Sequence, residues 1–151
     1  MPLLTRLLRL GTLAATAGFA ACVLLQIVAR LALPAAPSWT EEAARLCFVW
    51  AVGCAGGLAL RDRAYVAFDV VYRRLPARWR RPSSAAIDAA TALLFGLFTV
   101  AAARFTWMGL AERAPTLRFP MAVAFAGVLV LGIGVFAFAV AGVRRVLPKG
   151  V

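Results

Sequence analysis

The sequence predicts an all-α integral membrane protein with four transmembrane helices. Three observations lead there: an apolar composition, four long apolar runs, and basic residues gathered beside alternate ends of those runs. Of 151 residues, 64% are hydrophobic, and the mean hydropathy is +0.88; an ordinary soluble domain is about 45–50% apolar. A run of about 18 or more apolar residues reads as a membrane span, since about 20 residues at 1.5 Å rise cross a hydrocarbon core roughly 30 Å thick. Such runs lie at about residues 10–33, 43–60, 87–110 and 119–143. Little chain remains outside them, so residues 1–151 are expected to form a single membrane domain.

The first run follows Arg6 and Arg9, and "GFAAC" at 18–22 faintly resembles a lipoprotein cleavage site. It continues through "VLLQIVARLAL", beyond the 7–15 apolar residues typical of a cleavable leader. A retained first span ending near Arg30 is the expectation.

The second run opens on "SWTEEAARLCFVW", residues 38–50. Ser38 and Glu41 have the S-x-x-E spacing of a capping box, in which each side chain satisfies a free N–H at a helix start. Glu41 and Glu42 suit the positive end of the helix dipole, Pro34 and Pro37 keep the preceding turn extended, and Trp39 suits a membrane interface. Arg45 lies four residues after Glu41 and three after Glu42, within reach of both on one helical face. Further along, Gly53 and Gly57 form a GxxxG, which permits close helix approach.

Between the second and third runs stands "RDRAYVAFDVVYRRLPARWRRPS", residues 61–83. It is too charged to span. Its mixture of Tyr65, Val66, Phe68, Val71, Tyr72 and Leu75 with arginines predicts an amphipathic interfacial helix ending near Pro76; a tethered basic loop is the plainer reading. In the third run Ala85, Ala89, Ala92, Gly96, Thr99 and Ala103 form a small-residue stripe that calls for a neighbouring helix, in this chain or another. The fourth run is followed by Arg144, Arg145 and Lys149.

Charge sets the expected orientation. Of 17 basic residues, 12 lie before the first run, between the second and third, or after the fourth. Basic residues favour the cytoplasmic side, which places both termini and the 61–83 connection in the cytoplasm, in contact with anionic membrane lipid. The net charge of +11 is thus an insertion signal, and no nucleic-acid partner is expected. The opposite, outer side then holds Arg30, Glu41, Glu42, Arg45 and Arg104 at similar depth. These are expected to form an ionic cluster that locks spans together or docks a partner, the alternative being separate arginines snorkelling to headgroups.

Chemistry of its own is not expected. There is no histidine, which removes bis-histidine haem, most zinc sites and the commonest general base. Cys22, Cys47 and Cys54 lie in apolar runs with no CxxC pair, and read as small buried apolar residues. Only Asp88 is a candidate intramembrane acid, and it sits near the start of the third span. No broken helix marks a midplane substrate site. The expectation is a non-enzyme without cofactors.

Arg30, "SWTEEAARLCFVW" and "LALRDRAYVAFDVV" at 58–71 together resemble the small membrane subunit of TRAP transporters, the tripartite ATP-independent periplasmic transporters. The pattern associated with that family falls on Arg30, Trp39, Glu41, Glu42, Arg45, Trp50, Arg61, Arg63 and Asp69. One departure is Tyr65, where many members carry histidine. The resemblance implies a multi-pass subunit of the bacterial inner membrane that assembles with a large permease subunit and a periplasmic substrate-binding protein. It implies a scaffolding and docking role in sodium-coupled uptake of an organic acid, often a carboxylate. Two other readings stay open: the small subunit of a different binding-protein-dependent carboxylate transporter, and a self-sufficient small exporter, which would need a membrane-embedded carboxylate that span one lacks.

Overall fold

The computed structural model describes residues 2–32, 37–62 and 77–146. They form four helices: α1 (Pro2–Ala32), α2 (Ser38–Arg61), α3 (Ala77–Met108) and α4 (Ala122–Val146). Each contains a stretch long and apolar enough to cross a membrane, with mean hydropathies of 2.0, 1.7, 1.8 and 2.6 in chain order. Helices suit that setting because every mid-span N–H and C=O is bonded within its own segment. The 61–83 amphipathic segment falls largely on residues 63–76, outside the described residues.

The helices overrun the apolar runs at three of their four starts: α1 begins at Pro2, α2 at Ser38 and α3 at Ala77. Apolar runs mark the part of a helix that crosses hydrocarbon, and the chain continues helical into polar surroundings on either side. Pro82 lies in the second turn of α3, where its ring offers no N–H to the preceding turn, and it opens the membrane-crossing part of that helix.

Packing joins the helices in the order α1–α2–α4–α3, and these three adjacent pairs hold the substantial interhelical contact among the described residues. The result is an open row, in which α2 and α4 are central and α1 and α3 are edges. About 22% and 28% of the membrane-crossing windows of α2 and α4 are buried, against 6% in each edge helix.

Glycine positions define the seams. A side chain on Gly53 would run into the Gly127 carbonyl oxygen, and one on Gly57 would lie 3.1 Å from the Gly134 Cα. Residues 53 and 57 thus meet 127 and 134 in ascending order, so the central helices run parallel. Their backbones approach closely because neither surface carries a Cβ there. The α1–α2 seam is antiparallel: a Cβ on Gly11 would meet the Cys54 Sγ at 2.8 Å, and one on Gly18 the Cys47 Sγ at 3.1 Å. The cysteines therefore act as knobs on glycine seats. The α3–α4 seam is also antiparallel, with Gly96 against Phe136, Gly132 against Thr99 and Phe98, and Gly142 against the Asp88 carboxylate.

Three threonine hydroxyls within the helices are satisfied locally. Thr12, Thr99 and Thr106 donate to the carbonyls of Leu8, Phe95 and Ala102 at 2.9, 2.6 and 2.8 Å, so each needs no partner from lipid or another helix. From the seams it follows that the start of α1, the end of α2, the start of α3 and the end of α4 share one end of the row. The other end carries the α2 start and the α3–α4 hairpin.

Candidate interface at the hairpin end

Helix α2 starts differently from a capping box. Pro37 is the N-cap residue, with extended φ −64° and ψ 121°, and no side chain caps the start. Ser38 has already entered the helix, so its hydroxyl is not placed to accept from the N–H three residues on. Thr40, fully buried, binds back to the cap residue without capping an amide. Its hydroxyl donates to the Pro37 carbonyl at 2.7 Å, and its amide reaches the same oxygen at 3.3 Å.

The two glutamates that follow divide their work. Glu41 pairs with Arg45 one turn on at 3.5 Å, both side chains well exposed; such a pair contributes less than about 0.5 kcal/mol. Glu42 turns the other way. Its Oε2 accepts the backbone N–H of Leu117 at 2.7 Å and of Thr116 at 3.2 Å, clasping the hairpin to the α2 start. A carboxylate taking two amides forms charge-assisted bonds, stronger than neutral ones.

The hairpin, residues 109–121, carries its own backbone framework. The amides of Ala114 and Met121 donate to the carbonyls of Phe119 and Glu112, both at 2.9 Å, and Arg118 donates to the Ala114 carbonyl at 3.1 Å. Arg113 and Pro120 form an antiparallel bridge, and Ala114 is 2% exposed beneath it. Arg118 has a left-handed backbone, φ 54°, a conformation costing a residue with a side chain about 1–2 kcal/mol. One turn below, the Trp50 indole N–H donates to the Val123 carbonyl at 3.0 Å, tying the central helices together beside the hairpin's exit.

The expected five-residue ionic cluster does not assemble within this chain. Arg30 and Arg104 stand on α1 and α3 with both central helices between them, and among the described residues neither makes an ion pair. Arg104 lies instead along an apolar furrow of α3 with Leu97, Val100, Ala101, Phe105 and Met108. Trp39 is partly exposed. At the far end Arg61 lies 3.8 Å from Asp62, while Arg63, Asp69 and Tyr65 lie outside the described residues. Sequence reasoning grouped Glu42 with Arg45; its real partners, two backbone amides some 75 positions away, have no residue-type signature. Trp50 was singled out without its acceptor.

No group of three or more potential metal ligands occurs among the described residues. The hairpin end is short, exposed and charged.

Comparison with known proteins gives two findings. Residues 19–148 match the family described as tripartite ATP-independent periplasmic transporters, DctQ component. A 54-residue stretch is 37% identical to the isethionate TRAP transporter permease protein DctMQ of Oleidesulfovibrio alaskensis, covering 36% of this chain and 8% of that protein.

Proposed function

The chain belongs to the DctQ component family of tripartite ATP-independent periplasmic transporters, and from that premise we propose that it braces a large permease subunit and helps a periplasmic binding protein dock for sodium-coupled uptake of an organic acid. It is a small transport subunit and not an enzyme. Four spanning helices and the family make it a multi-pass protein of the inner membrane, and the family implies association with a large permease subunit.

The finer parts of the reading rest on physical arguments. In the sequence, 12 of 17 basic residues precede the first span, lie between the second and third, or follow the fourth, and the basic-side rule assigns that side to the cytoplasm. The hairpin end then faces the periplasm, where a soluble binding protein works. The edge helices bury little against their own chain, which suits them to bracing a larger membrane partner. The relative is named for isethionate, and a carboxylate is the class suggested by the family resemblance; an organic anion covers both.

The family match over most of the chain carries this conclusion. Purification from native membranes in mild detergent, followed by mass spectrometry of what accompanies the chain, should recover a large multi-span permease. Reconstituted alone, the chain should move no organic acid under a sodium gradient. Uptake by this polypeptide in isolation would overturn the reading.

A further inference from the structure

We propose that the hairpin of residues 109–121 is a docking surface for an acidic patch on a soluble protein, with Arg113 and Arg118 as its contacting charges and Glu42 as the positioning residue that holds it in shape. The proposal rests on the reading above, in which this end faces outward and meets the binding protein, and it adds which residues meet that partner and by what chemistry.

Four observations carry it. Arg113 and Arg118 are exposed, and among the described residues neither takes part in an ion pair. They stand on a short connection opposite the arginine-rich end, where the insertion bias disfavours basic residues. Nothing about membrane topology therefore calls for them. Arg118 keeps its side chain at a left-handed φ of 54°, where glycine would sit without strain; backbone strain of this kind is retained at sites with a task. Finally, the hairpin is preshaped by its backbone bonds and by Glu42 Oε2 reaching it from α2 at 2.7 Å, so little order is lost when a partner binds.

The sign of the charge selects the partner. The hairpin itself carries Arg113 and Arg118 against Glu112, leaving it positive by one charge. A positive, fixed loop steers and orients an acidic surface, and the effect weakens with salt. Lipid headgroups are the lesser fit for these two arginines. Arg30 and Arg104, within helices near the same end, are the ones placed for phosphates, whereas Arg113 and Arg118 lie beyond the helix ends.

The test uses the complex of this chain with its large subunit in nanodiscs, titrated with the binding protein that restores uptake to it. Wild-type binding should weaken steeply between about 0.05 and 0.5 M salt. Arg113→Gln and Arg118→Gly should each weaken it about fivefold at low salt, with Arg118→Gly leaving the fold at least as stable. Glu42→Ala should weaken it similarly and speed hydrogen exchange at the Thr116 and Leu117 amides. Glu42→Gln, which keeps an acceptor oxygen, should restore part of both; it also serves if the alanine variant fails to fold. Unchanged binding in both arginine variants would overturn the docking surface. Unchanged binding and exchange in Glu42→Ala would overturn the positioning role. If the arginine variants lose retained phosphatidylglycerol while binding the soluble protein normally, the hairpin is a lipid contact and the proposal fails. Absence of a large subunit from the wild-type preparation would instead refute the complex itself.

Discussion

The central pair of helices and the edge pair are built for different neighbours. Helices α2 and α4 span 24 and 25 residues, about 36 and 38 Å at 1.5 Å per residue. They touch backbone to backbone through Gly53, Gly57, Gly127 and Gly134. Helices α1 and α3 run 31 and 32 residues, about 46 and 48 Å, and turn large side chains such as Leu13, Leu24, Leu94 and Leu97 away from their own chain. In lipid no hydrophobic force draws helices together, because acyl tails are as apolar as leucine; close packing and hydrogen bonds do that work. The glycine seam is therefore where two backbones meet most directly, while the outward faces of the edge helices are available to whatever adjoins them.

That contrast can be broken most forcefully at its centre. Gly53→Leu places a side chain where the Gly127 carbonyl stands and should cost about 3 kcal/mol, read as loss of the monodisperse peak in size-exclusion chromatography and a large fall in melting temperature. Trp50→Phe keeps an aromatic ring, though a smaller one, but removes the donor to the Val123 carbonyl, and should cost about 1 kcal/mol, a modest fall in the same melting assay. Leu13→Ala, on the outward face of α1 where the side chain is 62% exposed, should change the isolated chain by less than about 0.5 kcal/mol. If Leu13→Ala proved as damaging as Gly53→Leu, the division into cohesive centre and open edges would be wrong.

How much of this was legible depends on whether a signal lay in residue type or in pairing. Four spans were readable because hydropathy over some 20 positions is a summed signal. The GxxxG at Gly53 and Gly57 announced a close contact, but not that its seat would be Gly127 and Gly134 on α4, which does not follow α2 in the chain. The small stripe of the third run is accounted for in part: Gly96 and Thr99 face α4, while Ala89 and Ala103 are exposed. The capping box failed by one position, because Pro37 took the cap and drew Ser38 into the first turn. Glu42 was legible as important and opaque in role, since sequence spacing along a helix points to Arg45, whereas the hairpin reaches it only after the chain has crossed the membrane twice more. The ionic cluster failed for a related reason: equal depth does not mean adjacency when helices stand in a row.

The parallel contact between α2 and α4 also has a bearing on biosynthesis. The first two helices can associate as soon as both have left the ribosome, but the glycine face of α2 stays without its counterpart until α4 is complete. That is 85 residues after Arg61, or about 4–17 s at typical translation speeds of 5–20 residues per second. During that interval the slender groove of the nascent protein lies open to lipid and to every other small-faced helix nearby, which makes this seam the point at which assembly is most vulnerable to a mistaken companion.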